Sequence, residues 1–377
     1  METSQEVPRG GVRAEDLASL VRGPGPFLTL YLETRPDIEN AGPMTEQHWR
    51  TLRGELIDRG VPQEVLEHID PVISGAHLQG RCLAAVATTG DLLHAEHGPE
   101  PPPQDATWAA LPSLLPIIEW RQQRPGHVLV LTDRRGADLY AFRFGRADIH
   151  REAGGADDPL TRSGPGGWSQ RRYQQRAENT WEDNAKDVAV EVERLVDAVD
   201  ARLVLVAGDV RAVQLLREAL RPELGASLHE IGGGRTADGS NDEIEKEVER
   251  LVDMWAGQST TELIKWFEQE RGQQDKAASG AADVLAALAM SQAEVLLVAD
   301  GEAADGRTAW FGRAPGQVDL SREDVDSLGA RDPAEASLID VCIRTALLTG
   351  ARIAVVPAQA GIREGIGAIL RWAPPTP

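Results

Sequence analysis

The stretch HVLVLTDRRGADLYAFR, residues 127–143, decides the fold. Two apolar runs, 127–132 and 137–143, flank Asp133-Arg-Arg-Gly136. A polar turn ending in glycine between alternating apolar residues predicts a β-hairpin. Downstream, Trp181, Ala185, Val188, Val192, Leu195 and Val199 are spaced 4, 3, 4, 3 and 4 residues apart, the stripe of an amphipathic helix. Residues 202–207 (RLVLVA) then read as a buried strand, 210–220 as a helix and 227–231 as another strand. Strand, helix, strand, helix, strand in succession predicts an α/β layer. Between the hairpin and the stripe, residues 153–170 are polar and glycine-rich, with few apolar side chains to hold them in a core, and an exposed loop is expected there.

Upstream, residues 26–33 (PFLTLYLE) and 81–88 (RCLAAVAT) read as strands, and 91–94 (DLLH) begins a third. Residues 45–73 read as helix, with Trp49, Leu52, Leu56 and Ile57 at helical spacing before a break at Gly60-Val-Pro62 and Val65, Leu66 and Ile69 after it. The run GPEPPP, 98–103, is a stiff connector. Downstream, 241–276 is a long charged helix able to bridge two domains, and helix 281–290, strand 294–299, helix 337–348 and strand 352–357 make a second α/β unit. Residues 302–331 read as polar and turn-rich. The expected class is α/β (α+β) in three domains: an N-terminal α+β domain over 1–124, a middle domain with the glycine-rich loop over 125–250, and the connecting helix with a C-terminal α/β domain over 251–377.

Composition sets the limits. Hydrophobic residues make up 41% and charged residues 26% of the 377, normal for a chain that folds around substantial cores. No run nears the ~18 apolar residues of a membrane span, and the start METSQEVPRGG has no signal-peptide pattern, so a cytoplasmic protein with no membrane partner is expected. Cys82 and Cys342 suit a reducing compartment as buried small hydrophobes. The net charge of -21, from 39 Lys+Arg against 60 Asp+Glu, argues against a DNA-binding or general nucleic-acid-coating protein but leaves room for a local basic tip.

Most chemical motifs fail. Gly232-Gly-Gly-Arg235 follows a strand but lacks the lysine of a phosphate-binding loop. His94 and His97 have no cysteine or carboxylate pattern to complete a zinc site and read as a solvated pair, so no metal or other cofactor is expected. There is no Gly-x-Ser-x-Gly elbow, and acidic neighbours such as Asp157 with Asp158 or Glu182 with Asp183 are the solvated pairs expected on so acidic a chain.

One segment stands apart. TRSGPGGWSQRRYQQRA, residues 161–177, carries Arg162, Arg171, Arg172 and Arg176 and no acid. Gly164-Pro-Gly-Gly167 frees the backbone, Trp168 offers a stacking face and the arginines offer phosphate donors, a set suited to a tip that enters folded RNA. On these features alone the bland reading, an exposed loop whose arginines solvate the surface, stands level with it.

In sequence order, LTDRRGADLYAF, GPGGWSQRRYQQRAENTWEDNAKDVAVEV and LVLVAGD resemble the middle domain of the archaeal and eukaryotic class-one peptide release factors. There a Gly-Gly-Gln loop is followed by serine, arginines and a long helix. EVLLVAD, GARIAVVPA and the ending GIGAILRW, 365–372, are similar to that family's third domain, which is α/β and like ribosomal protein L7Ae. GPFLTLYLETRP resembles the opening strand of bacterial members, among them the Balon-like ribosome hibernation factors. The resemblance implies a three-domain protein that occupies the ribosomal A site, with the 70S ribosome, ribosomal RNA and elongation factor Tu as partners. It places Gly166 and Gly167 on the paired glycines and Ser169 on the serine, with Trp168 where the release glutamine belongs and Gln170 two positions late.

Those departures separate the functional readings. Release needs a backbone N–H and a small, close approach at the glutamine position, where charge develops on the reacting ester. Trp168 keeps the N–H but adds bulk. Stop-codon readers of the family carry Asn-Ile-Lys-Ser in the first domain, and this chain has no lysine before Lys186, so stop-codon decoding is not expected. The leading expectation is a non-enzymatic hibernation or dormancy factor in the A site, with Arg162, Gly166, Gly167, Trp168, Ser169, Gln170, Arg171, Arg172 and Arg176 on ribosomal RNA. The alternative is a codon-independent peptidyl-tRNA hydrolase in ribosome rescue, with a shifted loop presenting Gln170. A third reading is a stress-linked protein that uses its acidic surface to bind a protein away from ribosomes.

Overall fold

The computed structural model describes residues 10–35, 39–133, 135–144, 146–154, 167–232, 241–273, 276–301 and 306–373. The chain forms a mixed α/β fold of two compact units: residues 1–122 together with 258–377, and residues 123–257. Among the described residues no helix is long and apolar enough to cross a membrane.

In the first unit, β1 (Phe27–Glu33), β2 (Cys82–Ala87), β3 (Leu92–Gly98) and β4 (Ala106–Ala109) form an antiparallel sheet in the order β3-β2-β1-β4. Side chains alternate across a strand, and here both faces are buried. Leu28, Leu30 and Leu32 pack under α1 (Ala41–Asp58) and α2 (Gln63–Ile73), against Trp49, Leu52, Val65 and Ile69. Phe27 and Tyr31 turn the other way, into a core shared with the end of the chain. There β10 (Ala277–Ser279), β11 (Ala293–Ala299), β15 (Arg352–Val356) and β16 (Ile366–Leu370) form a second sheet, ordered β10-β16-β11-β15, beside α8 (Ala281–Ala289) and α10 (Leu338–Thr349). Val12 seals the two segments by exchanging backbone hydrogen bonds with Ile353, at 2.7 and 3.1 Å. The first and last segments of the three-part chain order thus share one core.

Several elements differ from expectation. The stretch read as turn-rich holds β12 (Thr308–Phe311), β13 (Val318–Asp319) and α9 (Arg322–Ser327), with β14 (Ala334–Ser337) completing a three-stranded sheet. These pieces are short and bury few side chains, chiefly Ala309, Val318 and Val325, so they leave little apolar period. The helix α3 (Leu115–Gln123), just before the hairpin, adds an element to those expected. His94 and His97 are not a solvated pair. Three residues apart on β3 they project to opposite faces, and His94 Nε2 lies 3.1 Å from Glu96, which with Asp16 holds the buried Arg121 guanidinium at 2.6 to 3.3 Å. Both cysteines are buried, and burial pushes the Cys82 thiol up to about 12.

The second unit is a three-layer sandwich. Its sheet runs β7-β6-β5-β8-β9, from β5 (His127–Thr132), β6 (Gly136–Arg143), β7 (Arg146–Gly154), β8 (Leu203–Gly208) and β9 (Leu228–Glu230). The predicted hairpin is the antiparallel pair β5–β6, and β8 joins β5 in parallel after the long helix α4 (Gly167–Val199). The two strands close tightly at their ends: a Cβ on Gly208 would lie 1.9 Å from the Thr132 carbonyl oxygen, so only glycine fits. One face of the sheet, with Val128, Val130, Leu139 and Ala141, is covered by α4, α5 (Val210–Ala219) and the short α6 (Pro222–Ala226). The other face, with Leu129, Leu203 and Leu205, is covered by the first half of α7 (Asn241–Gln273) through Ile244, Val248 and Val252. From residue 258 α7 belongs to the first unit, where Leu263 and Phe267 are buried with Val295, Leu297 and Ala354.

Candidate functional site

The site expected from the sequence lies at the start of α4. Its anchored part follows the predicted stripe: Ala185, Val188, Val192, Leu195 and Val199 are all buried, Val192 and Leu195 completely. Burying each of the valine and leucine side chains contributes roughly 1.5–3 kcal/mol, so this part of the helix is firmly held. Where α4 meets the carboxyl ends of β5 and β8, Trp181, Asn184, Ala185 and Val188 close against Thr132, Asp133, Gly136 and Arg211 around a cavity of only about 10 Å³, room for no more than a single water. The two aspartates at that edge serve the backbone. Asp133 Oδ1 accepts from the N–H groups of Arg135 and Gly136 at 2.7 and 3.0 Å, and Asp209 caps α5 by accepting from Arg211 and Ala212 at 3.0 and 3.3 Å.

Ahead of Trp181, α4 continues back to Gly167, so the 33-residue helix is about 50 Å long at 1.5 Å per residue. This corrects the expected loop of 153–170. Ala153 and Gly154 belong to β7, and Gly167, Trp168, Ser169, Gln170, Arg171, Arg172 and Arg176 belong to α4. Residues 167–170 carry no apolar stripe to signal that the helix begins before residue 171. Arg162 and Gly166 lie outside the described residues, as do Asp157, Asp158 and Gly164. No acid occurs in the first turn of α4. A helix start exposes unpaired N–H groups and the positive end of the helix dipole, and here no acid in the first turn cancels that potential.

A second feature of this unit was not foreseen. On the α7 face of the sheet a groove of about 440 Å³ is lined by His127, Leu129, Leu131, Tyr140 and Phe142 from β5 and β6 and by Ile244, Glu245, Val248 and Glu249 from α7. His127 and Phe142 stack at 4.5 Å and 7°, and Tyr140 stacks on His150 at 4.6 Å and 12°. Burial holds the His127 imidazole below its ordinary value, with a smaller push from the Arg124 charge. Further along the same sheet face Asp138, His150 and Glu152 bring one ligating atom each within 4.8 Å of the others. The only sequence signals for the groove were the alternation of Tyr140 and Phe142 with Leu139 and Ala141, and two glutamates four apart on a helix.

Residues 126–273 match the sequence profile of bacterial archaeo-eukaryotic release factor family 2. Two uncharacterized Mycobacterium tuberculosis proteins, MT2704 of strain CDC 1551 / Oshkosh and Rv2629 of strain ATCC 25618 / H37Rv, are each 27% identical to the chain, spanning 96% of it and 97% of themselves. Among solved structures, Archaeoglobus fulgidus Pelota is 16% identical over 78% of this chain and 80% of its own, with a TM-score of 0.31. The archaeal translation termination factor aRF1 is 16% identical over 97% and 100%, with a TM-score of 0.25. S. cerevisiae Dom34, a translation termination-like factor involved in RNA quality control pathways and interacting with Hbs1, is 11% identical over 68% and 66%, with a TM-score of 0.37.

Proposed function

We infer that this chain, whose residues 126–273 match the profile of bacterial archaeo-eukaryotic release factor family 2, is a ribosome-binding factor of dormancy that occupies the A site without reading stop codons. The observation that carries this reading is the start of α4. Gly166-Gly167 leads directly into a helix whose first turns hold Arg171, Arg172 and Arg176 and no acid in the first turn, on a body of net charge -21. Cationic side chains on the positive end of a long helix favour phosphate, and arginine binds phosphate through two parallel N–H donors. The remaining surface is repelled by RNA, which confines binding to this end and makes it salt-sensitive. Trp168 in place of the release glutamine, and Gln170 inside the first turn of α4, support occupancy over peptidyl-tRNA hydrolysis. In this reading the protein works in the cytoplasm on 70S ribosomes, Arg162, Gly166, Gly167, Trp168 and Ser169 also meet ribosomal RNA, and elongation factor Tu is a partner in delivery.

Co-sedimentation with purified 70S ribosomes, with and without elongation factor Tu, tests the reading. The wild-type protein is expected in the pellet. The Arg171→Ala/Arg172→Ala/Arg176→Ala variant is expected to bind about tenfold or more weakly, since each charge-assisted contact is worth roughly 1.5–3 kcal/mol. Equal pelleting of the two proteins overturns the role given to α4. Peptide release from a stalled complex that is abolished by Gln170→Ala would establish the hydrolase instead.

A further inference from the structure

The groove beneath α7 has the reverse chemistry of the α4 start. His127 Nδ1 lies 3.0 Å from the Pro125 carbonyl oxygen, which only accepts, so Nδ1 carries the proton and Nε2 of the neutral ring is an acceptor. The one cation in the lining, Arg124, is engaged by Asp253 at 2.8 Å. Glu245 and Glu249 are both exposed and stand one turn apart on α7. Among the described residues neither has an ion-pair partner. Like charges four apart disfavour a helix, a repulsion that a bound cation offsets. The floor is aromatic and aliphatic, from Tyr140, Phe142 and Leu129. The two free carboxylates and His127 Nε2 accept hydrogen bonds, the groove's uncompensated charge is negative, and its rings favour a cation.

We propose that this groove docks a basic segment of a protein partner, with an arginine side chain laid over Tyr140 and Phe142 and its guanidinium N–H groups donated to Glu245, Glu249 and His127 Nε2. A guanidinium suits the site better than an ammonium, because its planar face stacks on rings while its edge donates to several acceptors at once. The volume of about 440 Å³ is within the range of sites that enclose a drug-sized group, so the side chain and its flanking peptide fit. Nucleic acid is disfavoured by the two glutamates, and a purely apolar segment would desolvate them without compensation. The acceptors continue beyond Tyr140: Asp138 stands directly opposite Glu152 across β6 and β7. Like charges so placed oppose sheet pairing and favour a second cation on the bound segment. This surface is independent of the ribosome-binding reading.

The test is fluorescence anisotropy of the full chain with a labelled Gly-Arg-Gly-Arg-Gly peptide, its citrulline twin, which is isosteric and uncharged, and a short RNA oligonucleotide as competitor. The arginine peptide is expected to bind about tenfold or more tightly than the citrulline peptide, and the Glu245→Gln/Glu249→Gln variant to lose about tenfold. A control, Glu262→Gln/Glu268→Gln, removes two equally exposed glutamates from the other half of α7 and is expected to change binding by less than about twofold. Equal binding of the two peptides overturns the proposal. So does an equal loss in the control, which would mean attraction to the anionic body at large, or displacement of the peptide by RNA. All four glutamates are exposed, so the substitutions leave the fold intact, and ribosome pelleting of the same variants separates this proposal from the function of α4.

Discussion

The two longest helices of the molecule have the same length, 33 residues each, and opposite electrical character at their starts. α7 opens with Asp242 and Glu243 in its first turn, the ordinary way to neutralise a helix dipole, and follows with Glu245 and Glu249 beside the aromatic groove. α4 opens without an acid and carries Arg171, Arg172 and Arg176 instead. On the sheet they cover, the contrast repeats in packing: α4 closes over aliphatic residues, while α7 leaves Tyr140 and Phe142 half-buried. In the reading proposed above, the α4 start meets an anion outside the chain, whereas the α7 start is neutralised by its own carboxylates.

The packing side of this comparison breaks most visibly by substitution. Leu195→Ala, at a fully buried position under α4, is expected to destabilise the protein by about 3 kcal/mol, whereas Tyr140→Ala, on the groove face, is expected to cost about 1 kcal/mol. Urea unfolding of both variants followed by circular dichroism measures the difference. Equal losses would mean that α7 seals its face as tightly as α4 does.

A smaller effect sharpens the same contrast through pH. Because the folded protein holds His127 below its ordinary value, the unfolded chain takes up that proton first as the solution is acidified. Stability contributed by the neutral ring is therefore complete well above pH ~6.5 and declines as pH falls below it. In His127→Phe this part of the slope should vanish, as read from the melting temperature between about pH 5 and pH 8.

The stripe from Ala185 to Val199 was legible because burial on one helix face imposes a 3.6-residue period, and β5 with β6 because alternation and a turn coincide. β1 was legible although both its faces are buried, since its run of leucines and aromatics has no other stable home. What escaped had no such period. The residues that open α4, 167–170, carry no apolar period in the sequence, and β12 to β14 are two to four residues long. The groove escaped for another reason. Tyr140 and Glu245 are about a hundred positions apart, and only the sheet order and the cover of α7 bring their elements together.

Chemical footprinting of ribosomal RNA in 70S ribosomes saturated with the protein tests the central claim most directly. Protection of nucleotides lining the A site at the peptidyl-transferase centre, lost in the Arg171→Ala/Arg172→Ala/Arg176→Ala variant, is the predicted result. An unchanged modification pattern at those nucleotides, with the wild-type protein demonstrably bound, would contradict it.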